Sequence, residues 1–134
     1  MDSNVELRLI KALRTVLSPL EQEESQIIVS AVRDESEGTD LGADDIQIVT
    51  RLEGGTAAVY GLLLRSVFTV LVFSRDSNRA AEAAALVMKK PNITILNAQR
   101  IQNWEGTSTA VELDGLDDGD FTILAAEVAV TTRN

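Results

Sequence analysis

Apolar residues at Val5, Leu9, Ile10, Leu13, Val16 and Leu17 recur every three to four positions, and Glu6, Arg8, Lys11 and Arg14 take the other side. That period predicts an amphipathic helix over residues 4–18, with Ser3 or Asn4 able to cap it and Pro19 to stop it. A polar linker, 20–25, leads into the β-branched run QIIVSAV at 26–32, which predicts a strand. Residues 46–52 (IQIVTRL) alternate, so that Gln47 and Arg51 point outward if Ile46, Ile48 and Thr50 face a core. Residues 53–58 (EGGTAA) predict a flexible connection, because the Gly54–Gly55 pair tolerates positive φ. The run at 61–74 (GLLLRSVFTVLVFS) is the strongest strand, and its nearly unbroken apolar centre predicts cover on both faces.

Ser77 or Asn78 then caps an alanine-rich helix at 79–90, with Lys89 and Lys90 in its last turn and Pro91 ending it. Residues 92–104 and 120–132 predict two long strands, hairpin partners with one apolar and one polar face each. The segments 33–45 and 105–119 predict exposed acidic loops. These elements make one α+β domain over residues 1–134, in two layers. A mixed or antiparallel sheet of about five strands carries two helices on one face. Strand order stays open, because the crossover from Ser74 to Asn92 can return parallel or antiparallel.

Composition narrows the chemistry. The 134 residues include no histidine and no cysteine. Most nucleophile–base pairs, most zinc and iron sites and every disulfide draw on those two residues. The reading is no enzyme, no cofactor and no metal. The net charge of −9 disfavours a nucleic-acid interface, which needs a basic patch. The longest apolar stretches fall short of a membrane span and the polar N-terminus is unlike a signal peptide, so a soluble protein, made in the cytoplasm, is expected.

Each candidate site has a plainer counterpart. Residues 114–120 (DGLDDGD) resemble a calcium loop, but Leu116 breaks the alternation and Ala125 stands where the glutamate belongs, so a solvated turn is expected. The cluster Asp34, Glu35, Glu37, Asp40, Asp44 and Asp45 could pair carboxylates for acid–base work. With nothing to bury it, a solvated loop able to dock on a basic partner, or to line an acidic lumen, is the preferred reading. Gly54–Gly55 lacks the lysine and helix of a phosphate loop, and no GxSxG occurs. Tyr60 and Trp104, at strand ends, are either core edges or contact anchors. They join Arg51, Glu53, Arg65 and Arg100 as candidate interface residues. Arg65 is the sharpest of these, since a guanidinium within an apolar strand must be paired or face a subunit boundary.

The opening amphipathic helix, the strand–turn–helix LRSVFTVLVFSRDSNRAAEAAALVMKK (64–90) and the closing strand FTILAAEVAVTTRN (121–134) together resemble the tail terminator, or tail-to-head joining, proteins of long-tailed bacteriophages. The resemblance lies in layout over nearly the whole chain and rests on no short motif. It implies a virion protein in the tail or neck. Such proteins form a hexameric ring that caps the tail tube, ends its polymerisation and presents the head-joining surface. The implied partners are copies of the chain, a tail tube protein and a head connector or neck protein. DNA would pass through an acidic lumen without specific binding. The other readings are a different connector, neck or tube component, and a small-ligand domain or carboxylate-based enzyme.

Overall fold

The computed structural model describes residues 2–21, 27–31, 45–58, 63–112 and 122–133. The elements follow in the order α1 (Asp2–Leu17), a 3₁₀ turn (Ser18–Leu20), β1 (Ile27–Ala31), β2 (Ile46–Ala58), β3 (Leu63–Ser74), α2 (Ser77–Met88), α3 (Ile93–Ala98), β4 (Ile101–Glu112) and β5 (Thr122–Arg133). The strands form one mixed sheet of order β1-β2-β3-β5-β4. β1 runs parallel to β2, and every other pairing is antiparallel. The crossover through α2 and α3 therefore passes over β5 and returns parallel to β3. The hairpin expected between the last two strands is present as β4–β5.

All the helices lie on one face, so the two-layer α+β domain stands. Ile46 and Ile48 of β2, Phe68, Val70 and Val72 of β3, Ala126, Val128 and Val130 of β5 and Trp104 of β4 form that face. Against it pack Leu9, Leu13 and Leu17 of α1, Ala80, Ala83, Ala84 and Val87 of α2, and Leu96 of α3. Small alanines on α2 let its backbone approach the sheet closely. At Gly106 the approach is extreme, because a Cβ there would sit 2.7 Å from the Met88 carbonyl oxygen. Among the described residues no helix is long and apolar enough to cross a membrane.

Several expectations need correcting. Residues 92–104 are not one strand. Asn92 caps a short third helix, its side chain accepting from the Ile95 N–H at 3.1 Å, and β4 starts only at Ile101. Local capping after Pro91 outweighs the β-branched bias of Ile93 and Thr94. β4 then continues to Glu112, through much of the segment expected to be a loop. β2 likewise runs through Gly54–Gly55 to Ala58, with a bulge between Leu52 and Gly54 absorbing the register shift. In β3, burial alternates instead of covering both faces, and Val67, Leu71 and Phe73 are half-buried. α2 is capped by Asp76 rather than Ser77 or Asn78, and Lys89 and Lys90 lie just past its end.

Candidate functional site

The face of the sheet opposite the helices carries two of the candidate residues in one polar cluster. At the β2 bulge, Glu53 accepts from Arg51 Nε and from the Thr69 hydroxyl on β3, at 2.9 and 2.8 Å. The Arg51 bond, then the Thr69 bond, hold the Glu53 carboxyl below its ordinary range. Along the same cross-strand row lies Glu127 of β5, which accepts from the Thr107 hydroxyl of β4 at 2.6 Å. Arg65 stands on this face too. Its side chain is 42% exposed, and the guanidinium reaches over β5 to within 4.0 Å of Glu105 on β4. The arginine in the apolar strand is thus accommodated by facing outward, with a loosely held carboxylate partner.

On one side of that polar band the face is mostly apolar, with Gln47 the polar exception. Ile28, Val49, Leu71, Phe73 and Ile123 occupy adjoining cross-strand positions toward the end of the sheet where β5 begins. Ile28 is exposed, Val49, Leu71 and Phe73 are half-buried, and Ile123 is buried. No helix among the described residues packs on this face.

Trp104 is a core residue and no contact anchor. It is 1% exposed, and its indole N–H donates to the Val87 carbonyl at 2.9 Å. Asp45 is also corrected: it is 8% exposed, at the mouth of β2, rather than in an exposed loop. Tyr60 and the acids Asp34, Glu35, Glu37, Asp40 and Asp44 lie outside the described residues.

Arg100 sits apart from the other candidates. It holds φ of 57° in the turn between α3 and β4, a left-handed conformation that redirects the chain into the strand. There it meets two arginines that sequence reasoning passed over, Arg8 of α1 and Arg133 at the end of β5. With Asn97, Ile101 and Gln102 they line a groove of about 600 Å³ that has no carboxylate among the described residues lining it. Among the described residues the three guanidiniums make no ion pair or hydrogen bond. Nothing in the sequence links positions 8, 100 and 133, and only the fold brings them together.

Among the described residues no three histidine, cysteine, aspartate or glutamate side chains cluster as metal ligands. Every buried side-chain nitrogen and oxygen there has a hydrogen-bond partner. No family model matches this chain, and no curated protein matches it significantly.

Proposed function

We propose that this chain is a structural, ring-forming subunit of the tail-terminator type. It would cap a phage tail tube, end its polymerisation and form the surface that meets the head. The observation that carries this reading is the second face of the sheet. A sheet face left to solvent reads polar along each strand, whereas this one presents Ile28, Val49, Leu71 and Phe73 beside a band of paired charges. Such a face gains stability when a second copy covers its apolar part. The twelve-residue edge strand β4 offers a further pairing surface.

In the ring so formed, six acidic copies would surround a lumen through which DNA slides without sticking. A ring whose lumen is lined by arginine and lysine would overturn that step. Native mass measured from micromolar to near-millimolar concentration tests the assembly itself. A discrete hexamer with few intermediates is expected, followed by its appearance at tube ends in electron micrographs. A strict monomer or dimer throughout would overturn the preformed ring.

A further inference from the structure

We propose that the groove lined by Arg8, Arg100 and Arg133 is a binding site for a compact phosphorylated anion, a small molecule carrying a phosphoryl group. The site is complete within one copy of the chain and does not depend on ring assembly.

Three elements build it. β4 and β5 pair Ile101 with Thr132, so Arg100, just before β4, and Arg133, the last residue of β5, fall next to one another at one end of the sheet. α1 packs against α3 and brings Arg8 to the same place. Three of the chain's twelve basic residues thus line one groove in a protein of net charge −9. Asn97 and Gln102 add two amide groups, and Ile101 adds an apolar surface.

Two observations point to a ligand. The three guanidiniums make no ion pair or hydrogen bond among the described residues, and like charges lining one groove repel each other until an anion joins them. Arg100 moreover holds φ of 57°, a conformation that costs an L residue free energy and that glycine adopts freely. Strained positions of this kind cluster at ligand sites, where the strain aims a functional side chain.

The number of arginines selects the ligand class. One guanidinium satisfies a carboxylate by a two-pronged contact. A phosphoryl group carries about −1.5 to −2 charges near pH 7 and three acceptor oxygens, enough for several forks at once. The groove, about 600 Å³, falls in the range of small-molecule sites and leaves room for more than the phosphoryl group. The Asn97 and Gln102 amides can donate to, or accept from, the remainder of the ligand. A nucleic-acid backbone fits poorly, because it spreads its charge along an extended track and would run out of the groove into the field of an acidic chain. A compact ligand keeps all its charge among the arginines.

The test titrates the full chain by calorimetry with inorganic phosphate, pyrophosphate, citrate and a short DNA duplex at fixed ionic strength. Pyrophosphate is expected to bind saturably at one site per chain, more tightly than phosphate or citrate, and to raise the thermal midpoint. Arg8→Gln, Arg133→Gln and Arg100→Gly should each lose roughly tenfold or more in affinity, since each removes a charge-assisted contact. Lys89→Gln, which removes the same charge just past the end of α2, should leave the affinity unchanged. Arg100→Gly also separates binding from folding, because glycine relieves the left-handed backbone. Its thermal midpoint without ligand should equal or exceed that of the parent protein while its affinity falls.

Absence of saturable binding by phosphate and pyrophosphate at roughly 10 mM overturns the proposal. So does an affinity that survives all three arginine variants, or one that falls equally in Lys89→Gln. Citrate binding more tightly than pyrophosphate overturns the phosphoryl assignment. A duplex that binds through the same arginines at lower phosphate concentration overturns the compact ligand.

Discussion

The indole N–H of Trp104 donates to the main-chain carbonyl of Val87 at 2.9 Å, and both residues are fully buried. The bond ties the end of α2, whose last carbonyls lack helical partners, to the edge strand β4. Trp104→Phe should keep most of the packing and leave the Val87 carbonyl unsatisfied, costing about 1–3 kcal/mol. Trp104→Ala adds a cavity and should cost about 3–5 kcal/mol. Urea denaturation of the two variants separates the hydrogen bond from the packing.

The same α2–β4 contact makes Gly106 irreplaceable. A methyl group there would press on the Met88 carbonyl oxygen at 2.7 Å and on its Cβ at 3.1 Å, both part of the helix end rather than a flexible side-chain tip. Gly106→Ala should destabilise by about 1–3 kcal/mol. Gly54→Ala, where nothing lies within 4 Å, should be neutral or stabilising by up to about 1 kcal/mol. Paired denaturation curves check the contrast, and equal losses would contradict it.

Asp76 caps α2 by accepting from the Asn78 and Arg79 N–H groups at 2.9 and 3.4 Å. Asp76→Ala should cost about 1 kcal/mol, and Asp76→Asn much less, because the amide oxygen still accepts. Thermal unfolding of the pair reads the difference as two separate midpoints.

Glu53 supplies a pH signature on the open sheet face. Its folded-state pKa is depressed by Arg51 and then by Thr69. The associated stabilisation is therefore present above the ordinary glutamate value and is lost as pH falls through the depressed one. An NMR titration of the Glu53 carboxyl should show its pKa rising toward the ordinary value in Arg51→Ala and rising less in Thr69→Val. An unmoved pKa in Arg51→Ala would show that the contact is not formed in solution.

Periodicity alone determined much of this protein. The apolar positions of α1 and the inward Ile46, Ile48 and Thr50 of β2 follow from helix and strand periods, which depend only on backbone geometry, although Gln47, expected to be outward, is buried too. The absence of histidine and cysteine similarly removes the chemistry that depends on an imidazole or a thiol. Where the sequence misled, a local signal competed with a longer-range one. Ile93 and Thr94 favour a strand by composition, yet the Asn92 cap and the burial of Leu96 make that stretch a helix. Gly54–Gly55 invited a break, but pairing with Val67 and Ser66 of β3 carries the strand through. Trp104, placed at an element's end by sequence, became interior once β4 extended eight residues beyond it. The tertiary structure alone decided what lies far apart in sequence and close in space, such as the convergence of Arg8, Arg100 and Arg133. Strand order and register create those relationships, and register is a property of pairing between strands that no single segment contains.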